Sequence, residues 1–142
     1  MEPLIALVVG FVAARLSGLA GVGALDGWQP SLCAGLALMF LVTGGAHFAP
    51  KMRADMIGMV PPALPRPDLL VTATGVLELA GAAGLLIPAT SRWAAACLGL
   101  LMIAMYPANY SAAKRQVAQG DPIVMRTALQ LLFIGATALV LV

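Results

Sequence analysis

The stretch LLVTATGVLELAGAAGLLI, residues 69–87, decides the fold of this chain. It carries a single formal charge, Glu78, among otherwise apolar and small residues. A helix needs about 20 mostly apolar residues to cross the roughly 30 Å of a bilayer's hydrocarbon core. Because lipid offers no hydrogen-bond partner to the backbone, an apolar run of this kind crosses a membrane only as a helix. The stretch therefore predicts a transmembrane helix.

Four further apolar stretches surround this one, which gives predicted spans at 4–25, 30–48, 69–87, 93–110 and 123–142. Of the 142 residues, 61% are hydrophobic and 10% are charged, whereas a soluble domain has about a quarter charged residues. Short alternating segments typical of membrane barrels are missing. The first stretch also allows a signal peptide, but Glu2 stands where a basic residue is expected. We expect an all-α integral membrane protein, a single compact bundle of five spans.

Lysine and arginine predict how the spans are oriented. Six basic residues fall on one side, in the connections that follow the second and fourth spans and at the start of the fifth: Lys51, Arg53, Arg66, Lys114, Arg115 and Arg126. The other side carries only Arg92. The positive-inside rule then places the N-terminus in the cytoplasm and the C-terminus outside, in a bacterial inner (plasma) membrane. A net charge of +2 gives no indication of a nucleic acid partner.

Residues 50–60 predict a short amphipathic helix rather than a plain loop. Met52, Met56, Met59 and Val60 share one face, while Lys51, Arg53 and Asp55 lie opposite. Such a helix can anchor in the inner interface or cover a cavity on the cytoplasmic side. Farther along, Asp121 is the expected N-cap of the fifth span, with Pro122 in its first turn.

Two charges lie at similar depth within predicted spans, Arg15 and Glu78. A charge in hydrocarbon is costly, and an ion pair would reduce the cost for both residues. We predict that pair, either as a structural lock or as part of a proton or ligand site. The alternative is that the first span lies elsewhere and Arg15 snorkels to the interface. Gly75 and Gly81, one turn on either side of Glu78, leave room for close helix packing or for a ligand.

A second group of polar residues collects near the cytoplasmic ends of the spans. It consists of His47, Thr43, Tyr106, Asn109 and Thr74. Together with Glu78 they could bind the polar head of a lipophilic molecule such as a quinone, or they could satisfy frayed helix ends. One histidine supplies a single haem ligand per chain, which disfavours haem. Cys33 and Cys97 form no metal or dithiol motif; a disulfide or two buried apolar side chains are the alternatives.

From Leu38 to Asn109 the chain resembles the DoxX-like membrane family. The matching residues are Gly45-Ala46-His47-Phe48, Pro61, Pro65, Gly75, Glu78, Gly81, Gly84, Leu85, Pro88 and Tyr106-Pro107-Ala108-Asn109. The resemblance implies a four-helix membrane core, here the second to fifth spans, and an association with redox or sulfur-oxidation systems, including quinone-linked oxidoreductases. It maps recurrent polar positions of that family to His47, Glu78 and Asn109. The first span, with Arg15, departs from the pattern, and the paired cysteines of the family's redox-thiol branch are absent.

Three functions follow as hypotheses. The first is a membrane subunit or accessory protein of a redox system that contacts a quinone-like molecule. The second is a structural or assembly protein that packs against a larger membrane complex or a second copy of itself, since small residues recur at four-residue spacing. The third is a small transporter. No nucleophile elbow or phosphate-binding loop indicates an enzyme acting alone on a soluble substrate.

Overall fold

The computed structural model describes residues 1–117 and 122–142, and within these ranges it is all-helical, as predicted. The helices are α1 Glu2–Leu19, α2 Trp28–Ala46, α3 Pro50–Met59, α4 Pro67–Leu85, α5 Ser91–Arg115 and α6 Ile123–Leu139. A single 3-10 turn, Gly23–Leu25, follows α1. Prolines in the first turns of α1, α3 and α4 fit positions where a missing backbone N–H costs nothing. The expected cap Asp121 lies outside the described residues.

Four of the helices, α1, α2, α4 and α5, are long and apolar enough to cross a membrane. Helix α6 is apolar but shorter, at 17 residues. The outward faces carry large apolar side chains: Trp93 is 77% exposed, Leu100 67% and Val124 76%. Outward faces with such exposed large apolar side chains suit contact with lipid.

Helices α2, α4, α5 and α6 form a closed four-helix core, in which each packs against the next and α6 returns to α2. Leu36, Leu85, Leu98 and Val140, one from each helix or its end, are almost fully buried at the centre. Helix α1 stands outside this core and packs chiefly on α2. The two approach through small residues, since a Cβ on Gly10 would lie 2.9 Å from Gly35 Cα.

The predicted ion pair between Arg15 and Glu78 is wrong. Helix α1 ends at Leu19, six residues before the predicted end, because the chain turns at Gly21 with φ +108°. The following turn folds back onto Gly18, where a Cβ would lie 2.2 Å from the Leu25 carbonyl oxygen. This brings Asp26 to Arg15, with 3.6 Å between Nη1 and Oδ1. Arg15 is thus paired near a helix end.

Helix α3 is held at both ends by arginines. Arg53 donates to the carbonyl of His47, at 3.2 Å, and to the Thr72 hydroxyl at the start of α4, at 2.9 Å. Arg115, the last residue of α5, donates to the carbonyls of Gly58, Met59 and Val60 at 2.9–3.1 Å. These carbonyls end α3 and have no partner within the helix, so Arg115 acts as a C-terminal cap.

The two cysteines are free thiols. Cys33 is buried in α2, as expected of a small apolar side chain, whereas Cys97 is exposed on α5. They do not form the disulfide that their similar depth allowed.

Candidate functional site

The four-helix core encloses one side of a cavity of about 450 Å³, and α3 covers part of it. This volume lies within the range of about 300–1,000 Å³ that is typical of small-molecule sites. The polar residues that line it are Thr43, His47, Thr74, Glu78, Asn109, Arg126 and Gln130. Most of the remaining lining is apolar, including Phe40, Leu70 and Phe133. A mostly apolar cavity with a few polar groups is suited to a lipophilic ligand that has a polar head.

Six of the eight methionines of the chain line this cavity. They are Met1, Met39, Met56, Met59, Met102 and Met105. Methionine is flexible and polarisable, and its sulfur makes favourable contacts with aromatic rings. Such a wall can adapt to a planar ring without a fixed shape. Met56 and Met59 belong to α3, so the predicted apolar face of that helix covers the cavity.

One wall of the cavity holds the carboxyl of Glu78 against two groups of α2. The Thr43 hydroxyl donates to Glu78 Oε2 at 2.5 Å. His47 Nε2 lies 3.9 Å from Glu78 Oε1, which is too long for a hydrogen bond. Thr43 and His47 are one helical turn apart, so both face α4 at the same edge. Glu78 and His47 are both buried, with 5% and 4% of their surfaces exposed.

Two glycines allow α2 and α4 to meet at this point. A Cβ on Gly75 would lie 2.6 Å from His47 Cβ, and one on Gly44 would lie 3.1 Å from Glu78 Cβ. On the other side of Glu78, the Leu98 side chain fills the space beside Gly81. Its carbon atoms lie 2.5–2.8 Å from the position that a Gly81 Cβ would take. The glycines around Glu78 therefore serve helix packing, and the room beside Gly75 is taken by the His47 ring.

The hydrogen bonds of His47 fix where its protons lie. Its Nδ1 is 2.9 Å from the Thr43 carbonyl oxygen, which can only accept, so Nδ1 carries a hydrogen. Nε2 then faces the carboxyl either as a lone pair or as a second N–H. At 3.9 Å from Glu78 Oε1, Nε2 makes no direct hydrogen bond to the carboxyl in either form.

The opposite wall is an amide network between α5 and α6. Gln130 donates to the Met102 carbonyl and accepts a hydrogen bond of 2.7 Å from Asn109 Nδ2. One turn away, Tyr106 and Thr127 share a hydrogen bond of 3.0 Å between their hydroxyls. These bonds join two helices at the level of Pro107, which lies inside the continuous helix α5. Buried polar groups need such partners because lipid supplies none.

The structure brings most of the expected site residues around this one cavity: Thr43, His47, Thr74, Glu78 and Asn109. Tyr106 is not among the lining residues. Thr74 lines the cavity, but its hydroxyl donates to carbonyls of its own helix. Gln130 and Arg126 were missed, although Gln130 is the one strongly polar residue in the middle of its apolar stretch, which was the available signal. Among the described residues, no three His, Cys, Asp or Glu side chains lie close enough together to hold a metal ion.

Comparison with known proteins gives one family match. Residues 36–141 match a domain of unknown function, DUF8561. The chain belongs to the DUF8561 family. The match begins within α2 and runs just past the end of α6, so it covers all of the cavity lining except Met1 and Pro3 and leaves out α1. No curated protein and no solved structure matches the chain.

Proposed function

We propose that this DUF8561 protein binds a quinone-like lipophilic molecule in the cavity, as a membrane subunit or accessory protein of a redox system. The observation that carries the proposal is the cavity itself, with methionine and aromatic side chains on its walls and the Glu78–His47 pair within it. A quinone has a flat ring, two polar oxygens and an apolar tail. Each of these parts has a counterpart in the lining.

We further propose that the chain sits in a bacterial inner membrane with five spans and a cytoplasmic N-terminus. The contact of Arg115 with the end of α3 supports this, because it brings the two basic connections together at one end of the bundle. Arg92, at the start of α5, lies at the other end. One strongly basic end is what the positive-inside rule requires of a cytoplasmic face. The cavity then opens toward the cytoplasmic half of the membrane.

The redox part of the proposal comes from the resemblance to DoxX-like proteins, and extraction of the native protein tests it. The full chain, purified in mild detergent from its own membranes, is extracted with organic solvent and its lipids are analysed by mass spectrometry. We expect a quinone at a stoichiometry well above that of bulk membrane. Thermal melting with added decylubiquinone gives an independent measurement, because a ligand that binds only the folded protein raises its stability.

A matched pair of variants ties any binding to the cavity. Ala108 lines the cavity, so Ala108→Phe should fill it and abolish the stabilisation by decylubiquinone. Ala138 is exposed on α6 and does not line the cavity, so Ala138→Phe should leave the stabilisation intact. A protein that carries no quinone and melts at the same temperature with and without decylubiquinone would refute the proposed function.

A further inference from the structure

The hydrogen-bond donors around the cavity are largely occupied within the protein. Thr43 gives its hydroxyl proton to Glu78 Oε2, and Thr74 donates to two carbonyls of α4 at 3.0 and 3.1 Å. The Nδ1–H of His47 is bonded to the Thr43 carbonyl. Gln130 uses an amide N–H on the Met102 carbonyl. A ligand in the cavity therefore meets few free donors, chiefly the second N–H of the Asn109 and Gln130 amides.

Two strong acceptors on opposite walls remain free within the described part of the chain. The first is Glu78 Oε1, which takes no hydrogen bond and has His47 Nε2 at 3.9 Å. The second is Asn109 Oδ1. The Met102 carbonyl can only accept, so Gln130 must present its Nε2 to it, which leaves the Gln130 oxygen facing Asn109. Asn109 must therefore donate to that oxygen through its Nδ2. The Asn109 oxygen is thereby turned away from Gln130.

We propose that the cavity selects the reduced, dihydroxy form of its quinone-like ligand over the oxidised, dicarbonyl form. This inference rests on the proposed function and adds the redox state that the site prefers. A ligand hydroxyl donates to Glu78 Oε1 and can also accept from His47 Nε2 when that nitrogen is protonated. A carbonyl can only accept, so it leaves Oε1 unpaired in a water-poor site.

The Asn109–Gln130 wall accommodates either form of the ligand. A hydroxyl can donate to Asn109 Oδ1, whereas a carbonyl can accept from the second N–H of either amide, so the selection rests on Glu78 Oε1. Arg126, in the first turns of α6, also lines the cavity, but a guanidinium donates equally well to a hydroxyl or a carbonyl oxygen. It therefore does not discriminate between the two forms.

The selection has a measurable redox consequence. A site that binds the reduced form more tightly raises the midpoint potential of the bound couple, by about 30 mV for each tenfold preference in a two-electron couple. The inference concerns equilibrium binding alone, so it needs no electron donor or acceptor within this chain.

The test compares decylubiquinol with decylubiquinone on the full purified chain, without oxygen. We expect the quinol to bind at least about tenfold more tightly, because an unmade hydrogen bond to a buried acceptor costs about a factor of ten. In Glu78→Gln the amide oxygen stays with the Thr43 hydroxyl, so an NH₂ replaces Oε1 and the preference should fall toward one. Asp55→Asn neutralises an exposed carboxyl on α3 and should keep the wild-type preference.

The outcomes separate the two proposals. Equal affinities, or a tighter quinone, would overturn the selection and leave the proposed function standing. Failure of both forms to bind would overturn the proposed function as well. If Glu78→Gln does not fold, redox titration of the wild-type protein decides: a midpoint raised by at least about 30 mV above that of the free couple supports the selection, and any smaller rise, or a lower midpoint, refutes it.

Discussion

Replacing Gly75 by alanine should damage the site through a single methyl group. A Cβ there would lie 2.6 Å from His47 Cβ and 3.0 Å from His47 Cγ, whereas carbon atoms pack at about 3.5–4.0 Å. Because the backbone of α2 fixes the position of His47 Cβ, α2 and α4 must separate by about 1 Å at this point. The Thr43–Glu78 hydrogen bond and the approach of His47 to Glu78 cross between these two helices, so both would lengthen. Overpacking of this kind costs about 1–3 kcal/mol.

The assay is equilibrium unfolding of the purified protein in mixed detergent, together with decylubiquinone affinity. Gly99→Ala is the matched control. Gly99 lies in the middle of α5, and a Cβ there would meet no atom within 4 Å. Alanine is the better helix former, so that variant should gain up to about 1 kcal/mol. Equal stability of the two variants, with unchanged ligand affinity in Gly75→Ala, would show that the α2–α4 contact does not position His47.

Three further changes test the polar contacts outside the Glu78–His47 pair. Gln130→Leu leaves the Asn109 amide and the Met102 carbonyl without their hydrogen-bond partner, so it should lower the free energy of unfolding by about 1–3 kcal/mol. An unchanged stability would contradict the network. Arg115→Ala uncaps α3 and should speed amide hydrogen exchange near its end, whereas Lys114→Ala, at an exposed neighbour, should not. Arg15→Leu should change stability by less than about 1 kcal/mol, since its pair is partly exposed; a loss above about 3 kcal/mol would indicate a buried pair instead.

The helical fold could be predicted because lipid restricts the choice of structure so strongly. The predicted spans begin and end at apolar residues. Two of the helices extend past these bounds, because polar residues can continue a helix beyond the apolar stretch. Helix α4 begins at Pro67 rather than Leu69, and α5 continues from Tyr110 to Arg115. Helix α1 ends early because a glycine turn interrupts an apolar run that hydropathy alone reads as continuous.

The candidate site could be predicted in part, because depth in the membrane can be counted along each helix. Counting depth grouped His47, Thr43 and Asn109 with one another, and the structure places all three around one cavity. Depth does not show which face of a helix a residue occupies. It therefore groups Tyr106 with the site, although Tyr106 pairs with Thr127 and does not line the cavity. For the same reason, the sequence could not predict that Glu78 packs against Thr43 and His47.

The change of partner for Glu78 bears directly on function. An arginine stays protonated under all physiological conditions, so a buried pair of Arg15 and Glu78 would have been a fixed lock. The structure gives Glu78 a histidine instead, and His47 Nε2 at 3.9 Å is too far away to donate a hydrogen bond to Oε1. The oxygen that an arginine would have occupied is therefore left open to a ligand hydroxyl. This difference favours a site that binds a ligand over one that only joins two helices.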